Sequence, residues 1–194
     1  MNKKPSFAMV CASNQNRSMA AHYECIKKGI KYLTSYGTGS KVRIPSKRQH
    51  KPFEYEFGTP YKEMLEDLKR EDENYYIKKN MIPMLERNIG IKEAPEKFQE
   101  SNIESDIVLC FQKRVFEEVV ENLMTRTQSG DRCVYVINYE VKDTYKNALD
   151  ASKFAADFCE GLNNDDDWES NIFGKIETFG NIVGIDVCHL ALMV

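Results

Sequence analysis

The stretch Phe7-Ala8-Met9-Val10-Cys11-Ala12-Ser13-Asn14-Gln15-Asn16-Arg17-Ser18 decides how the rest of the chain is read. Its first four residues form an unbroken apolar run, which fits a strand buried on both faces. Cys11 to Arg17 then reads as a polar loop. Ser18 opens a helical stretch, Met19 to Lys28, which Gly29 closes. Lys31 to Tyr36 reads as a second strand. Strand, loop, helix, strand is a βαβ unit, and such a unit predicts a parallel sheet with a right-handed crossover.

The loop itself is C-x5-R-S, Cys11 through Ser18. A loop that ends at a helix N-terminus aims several backbone N–H groups at one spot, and the helix dipole favours negative charge there. Arg17 adds a planar fork able to hold two oxygens of a phosphate. The same positive field is expected to bring the Cys11 thiol below its free pKa of about 8.5. A thiolate would then lie beneath a bound phosphorus, in line for attack. Ser18 can donate a hydrogen bond to that sulfur and help it leave a phosphocysteine intermediate. Asn14 and Asn16 tolerate left-handed backbone and read as braces of the loop. Ala12, Ser13, Asn14, Gln15 and Asn16 are thus the candidate phosphate-binding loop, with Cys11, Arg17 and Ser18 as its chemistry.

Working outward, Gly37-Thr38-Gly39 is a turn, and Lys41 to Phe57 is basic, then aromatic, and hairpin-like. Thr59-Pro60 starts a helix running to about Glu73, and a second helical piece, Tyr76 to Arg87, is bent or delayed by Pro83. Asp106 to Cys110 and Cys133 to Asn138 are further core strands. Helices are expected over Lys113 to Thr125, Ala148 to Leu162 and Trp168 to Phe179, with a last strand over Ile182 to Val187. Alternating strands and helices predict an α/β three-layer sandwich with a mainly parallel central sheet. The whole, 1–194, is expected to be one domain. Residues 41–57 form a hairpin-like insertion and 76–89 a helical appendage.

Bulk properties agree. With 194 residues, 42% of them hydrophobic, the chain can bury a full core. A net charge of -3 argues against broad nucleic-acid binding. The apolar run Phe7 to Ala12 is too short to cross a membrane. The six cysteines, Cys11, Cys25, Cys110, Cys133, Cys159 and Cys188, include no C-x-x-C pair, so no zinc site is expected and a reducing compartment fits best.

Cys11, Asn14, Arg17 and Ser18 match the phosphate loop of the low-molecular-weight protein tyrosine phosphatases. The longer stretches Cys11 to His22, Ser35 to Pro45, Tyr55 to Tyr61, Met84 to Asn88 and Ala94 to Glu100 resemble more closely a family of RNA polymerase II C-terminal-domain phosphatases that work in mRNA 3′-end processing. The resemblance runs to about Asp143, beyond which the chain is divergent. It implies a low-molecular-weight-phosphatase-like fold, no cofactor, a nuclear location, and a phosphoserine-proline substrate at the fifth heptad position with the proline in cis. It also implies a symplekin-type scaffold as partner. By matched position it implies a substrate groove of Lys41, Arg43, Ile44, Pro45, Tyr76, Met81 and Met84; the two methionines fit core packing equally well.

Two departures stand out. In Asn138-Tyr139-Glu140-Val141-Lys142-Asp143, Glu140 stands where the family's general-acid Asp is expected; Asp143 is an alternative donor, though its matched position fits a structural role better. One extra methylene can misplace a proton donor by about 1 Å and cost about 10²-fold, so slow turnover is expected. The segment Cys110-Phe111-Gln112-Lys113-Arg114 lacks the family's acidic pair and is one residue longer. The absence of an Asp-Pro-Tyr signature weighs against phosphotyrosine. Two other readings remain open: a weakly active or inactive paralogue that binds the phosphorylated tail or scaffold, and a tyrosine phosphatase or arsenate reductase on the same loop.

Overall fold

The computed structural model describes residues 3–47, 51–102, 104–126 and 132–194. Residues 48–50 of the expected hairpin segment lie outside that set. The continuous apolar run at the start of the chain becomes β1 (Phe7–Cys11), every residue of which is buried. It is flanked by β2 (Leu33–Gly37) and β5 (Ile107–Cys110), both parallel to it. β6 (Cys133–Asn138) extends the parallel set, and β7 (Cys188–Met193) closes the order β2-β1-β5-β6-β7 antiparallel to β6.

Helices cover both faces. α1 (Arg17–Lys27), α5 (Tyr145–Asn163) and α6 (Trp168–Val183) enclose one apolar cluster with Phe7, Met9 and Leu109. α4 (Lys113–Arg126) encloses the other, with Ala8, Val10 and Val108, alongside Phe98 from the 3-10 turn Phe98–Glu100. Alternate residues of β1 feed the two clusters, as the two-residue period of a strand requires. The α/β/α reading therefore holds. The chain leaves α1 through Gly29, at φ 75°, with Ile30 N–H donating to Cys25 O and Gly29 N–H to Ile26 O. This is a glycine-terminated helix end with its last carbonyls satisfied.

A third cluster sits beside the sandwich. The hairpin β3 (Val42–Ile44) and β4 (Phe53–Tyr55) packs on α2 (Tyr61–Lys78) and α3 (Met81–Ile89), burying Ile44, Met64, Leu68 and Leu85 together with Met19 of α1. α2 is interrupted at Asp72, whose φ/ψ of -169°/90° is not helical, and resumes to Lys78. Asn80, at φ 60°, then turns the chain into α3. The expected break near Glu73 is thus a kink, Tyr76 belongs to the end of α2, and Pro83 is absorbed in the first turn of α3, where a missing N–H is harmless.

One expected strand is not found where the sequence suggested it. Residues 182 and 183 still belong to α6, because Ile172, Ile176, Phe179 and Val183 repeat at helical spacing on the face that meets the core. The helix stops at Gly184, φ 70°, and the last strand begins only at Cys188.

The turn after β2 presses on the loop that follows β1. Thr38 N–H donates to Cys11 O and Gly39 N–H to Ala12 O, at 3.0 and 2.9 Å. A Cβ on Gly37 would meet Ala12 O at 2.8 Å and Asn14 N at 2.9 Å, both backbone atoms. Gly37→Ala should therefore displace the loop, lowering stability in urea by about 1–3 kcal/mol and weakening orthophosphate binding measured by calorimetry. A variant that keeps both would show that the loop tolerates the push.

Candidate active site

Cys11 ends β1 and lies at the base of a cavity of about 360 Å³ at the C-terminal edge of the parallel strands. This is where an open α/β sheet presents loops to a ligand. Its sulfur is 3.1 Å from Ser18 Oγ. Asn14 Nδ2 donates to the same Oγ at 3.1 Å, which leaves the serine hydrogen free to point at sulfur. Asn14 is wholly buried, at φ 50°, and its Oδ1 accepts from Glu96 N–H at 3.0 Å. Glu96 N–H, Asn14, Ser18 and Cys11 thus form a directed chain of hydrogen bonds ending on the sulfur.

The loop's carbonyls are tied outward. Ala12 O takes Gly39 N–H, Asn14 O takes the Tyr61 hydroxyl, and Gln15 O takes Arg87 Nη2 at 2.8 Å and Asn88 Nδ2 at 2.9 Å. Asn16 O takes Arg87 Nη2 at 3.3 Å and, within α1, Ala20 N–H. In a trans peptide the N–H points opposite to the C=O. Fixing these four carbonyls on surrounding elements therefore turns the N–H groups of Ser13, Gln15, Asn16 and Arg17 inward, at the start of a helix whose dipole adds to their field. The result is a cradle for a tetrahedral anion.

Arg17 is buried, and four acceptors hold its two terminal nitrogens. Nη1 donates to Phe111 O at 3.1 Å and Val141 O at 3.0 Å. Nη2 donates to Gln112 Oε1 at 3.1 Å and Asp143 Oδ2 at 3.4 Å. Among the described residues Nε, also buried, has no acceptor, so it is the guanidinium N–H available to an anion. Gln112 and the Phe111 carbonyl, both just after Cys110, hold Arg17.

Residues 5–194 match the family of Ssu72-like proteins. The chain belongs to the Ssu72 family. It is 39% identical over 175 residues to the RNA polymerase II C-terminal domain phosphatase SSU72 of Dictyostelium discoideum, covering 89% of this chain and 82% of that protein. The crystal structure of the serine phosphatase of RNA polymerase II CTD from Drosophila melanogaster superposes with a TM-score of 0.92 at 34% identity, covering 98% of this chain and all of that one, 100%. Drosophila Ssu72 with Symplekin, bound to a cis peptidomimetic CTD peptide that carries phosphoserine at the fifth position, gives 0.91 at 32% identity, over 98% of this chain and 99% of that one.

Within this Ssu72-family site the two loop carboxylates separate. Glu140 is exposed and turned away from the cavity. Its Oε2 accepts Lys113 N–H at 2.7 Å and Asn138 Nδ2 at 3.2 Å, so it satisfies an orphan N–H at the start of α4. Asp143 lines the cavity and bonds Asn16 Nδ2 at 2.9 Å as well as Arg17. The expectation that Glu140 reaches the reacting centre is therefore not met. The cavity has an apolar side of Ile44, Pro45, Met81 and Met84, with Arg43 and Lys79 beside it. Lys41 and Tyr76 of the expected groove are elsewhere. Lys41 pairs with Glu56 at 3.0 Å, and Tyr76 is buried, donating to Glu71 and accepting Lys47 N–H at 2.9 Å. Tyr61, Arg87, Asn88 and Tyr145 were not singled out individually in the sequence; three of them fall inside stretches quoted for the resemblance, with no mark of their role. Among the described residues Cys11 is the one cysteine that lines the cavity. No cluster of metal-ligating side chains occurs among the described residues.

Beneath the loop, His22 Nδ1 and Ser35 Oγ are 2.9 Å apart, and Ser35 O accepts from Lys92 Nζ at 2.6 Å. Burial, then the Lys92 charge, pushes the His22 pKa down to about 4. Because the folded value lies below the unfolded 6.5, the unfolded chain binds the proton first as pH falls. Stability from this group is complete above pH 6.5 and drops by about 3 kcal/mol on descending to pH 4. Urea titrations across that window should show the slope, and His22→Phe should flatten it. An unchanged slope in the variant would assign the loss to other groups.

Proposed function

We propose that this protein is a cysteine-dependent protein serine phosphatase acting on the phosphorylated C-terminal domain of RNA polymerase II, at a serine followed by proline. The observation that carries the reading is the convergence on one cavity of the Cys11 sulfur, four inward N–H groups and the Asp143 carboxyl. The named activity of its relatives at about 40% identity supports the substrate class.

The chemistry follows from the positions. The Cys11 thiolate attacks phosphorus while the bond from phosphorus to the serine oxygen breaks. A serine alkoxide is a very poor leaving group, so a carboxylic acid must give it a proton, and Asp143 is the carboxyl on the cavity wall. The product is a phosphocysteine. Water then attacks the phosphorus, Asp143 takes its proton, and the sulfur leaves as thiolate, steadied by the Ser18 hydroxyl. Loop N–H groups and Arg17 Nε hold the three equatorial oxygens as charge redistributes. Arg43, Ile44, Pro45, Met81 and Met84 give the peptide a partly apolar groove suited to a proline-containing segment, and methionines adapt to such surfaces. We assign the finer features to the same reading: phosphoserine at the fifth heptad position with a cis proline, a symplekin-type scaffold partner, and a place in the nucleus in mRNA 3′-end processing. The whole chain serves as one phosphatase domain, with the hairpin and the α2–α3 pair walling the groove.

The alternative of an inactive binding paralogue rested on Glu140. The contact of Glu140 with the Lys113 N–H supports reading it as a cap of α4 instead.

On a phosphoserine-proline heptad peptide, wild type should release phosphate and Cys11→Ser should fall to background. Asp143→Asn should lower kcat by about 10²–10⁴-fold. Glu140→Asp and Glu140→Gln should stay within about threefold of wild type. Wild type no faster than Cys11→Ser would end the enzyme reading, and a gain in Glu140→Asp would return the acid to that position.

A further inference from the structure

Arg87 poses a problem that the phosphate loop answers. Its guanidinium is half-buried in α3, and among the described residues no carboxylate lies within ion-pair distance. Its electrostatic neighbours are the phenols of Tyr145, Tyr61 and Tyr23 and the thiol of Cys11. Burial is the larger influence and pulls its pKa down to about 10, so it stays cationic at neutral pH. Nη1 is buried with no acceptor among the described residues. A cation removed from water without an anion is costly to a fold.

Its bonds indicate a use. Nη2 reaches Gln15 O and Asn16 O, and Nε and Nη2 both reach Asn88 Oδ1, at 3.1 and 2.9 Å. Asn88 also holds Gln15 O through Nδ2, so Gln15 has two anchors. Among the described residues, Asn16 O has Arg87 as its only side-chain donor. The two peptide units held by Arg87 carry the N–H groups of Asn16 and Arg17, the pair nearest the helix start.

Resting on the phosphatase reading, we propose that Arg87 is a positioning residue for the transferred phosphoryl group. It orients the Asn16 and Arg17 N–H groups and supplies, from outside the loop, a positive charge completed by the anion inside. It touches neither substrate nor sulfur. It acts through the peptide dipoles it holds, and Asn88, which accepts from its Nε and Nη2, sets it in place.

Three measurements test this: hydrolysis of p-nitrophenyl phosphate, inhibition by orthovanadate, and thermal melting. Arg87→Met keeps most of the stem and removes charge and donors. It should weaken vanadate inhibition and lower kcat/KM together by about 10- to 100-fold, beyond any fraction unfolded at the assay temperature. Arg87→Lys retains the charge on a single donor nitrogen and should recover part of both. Vanadate inhibition and kcat in Arg87→Met within twofold of wild type would overturn the proposal, as would losses matching the unfolded fraction. If Arg87→Met does not fold, Arg87→Lys decides: wild-type vanadate inhibition overturns the proposal, and a several-fold loss at an unchanged melting temperature supports it. If wild type itself hydrolyses nothing, orthovanadate binding by calorimetry still separates the variants, so failure of the phosphatase reading and failure of the Arg87 role are distinguishable.

Discussion

The outward tethering of the loop's carbonyls is the constraint on which the site depends. A polar loop left to itself would point carbonyls and N–H groups in mixed directions and present little net field to an anion. Here Gly39, Tyr61, Arg87 and Asn88 each take a carbonyl, and the geometry of the trans peptide does the rest. The tethers come from three separate parts of the chain, the β2 turn, α2 and α3. A segment cut out around residues 7–28 would retain the motif but not the orientation.

The third apolar cluster follows from this requirement. A βαβ sandwich of two covered faces needs neither the hairpin nor the α2–α3 pair for its own burial. Those elements bring Tyr61, Arg87 and Asn88 against one side of the loop and Ile44, Met81 and Met84 against the open side of the cavity. Scaffold and groove are thus the same structure seen from two directions. Its core of Met64, Leu68 and Leu85 gives the tethers a rigid backing.

Much of this was legible from residues alone. The apolar run before Cys11, the polar loop and the helix after Ser18 produced the central βαβ unit, because period and punctuation are local properties. The loop's place between a buried strand and a helix N-terminus was legible for the same reason. What failed depended on direction. Glu140 and Asp143 lie three residues apart in an irregular segment, and nothing in their spacing tells which carboxylate faces Lys113 N–H and which faces Arg17. Arg17 looked like a free fork because the carbonyls that engage it, Phe111 O and Val141 O, are backbone atoms remote in the chain. Tyr76 lies beyond the kink at Asp72, where its side chain is buried, and the kink has no local sequence signal. The last strand was shifted because Ile182 and Val183 suit a strand or the end of a helix equally well, and only the packing of Val183 against the core favours the helix.

The strand pairing also bears on how this protein meets oxidants. Val10 lies opposite Cys110, so the Cys110 side chain shares the face of Val10, across the sheet from that of Cys11. Cys25 and Cys159 lie deep in the core beside one another. Among the described residues no second cysteine lines the cavity, so a sulfenic acid formed on Cys11 by peroxide would have no thiol beside it there to trap it as a disulfide. Its rescue from irreversible over-oxidation falls to small thiols diffusing into the cavity.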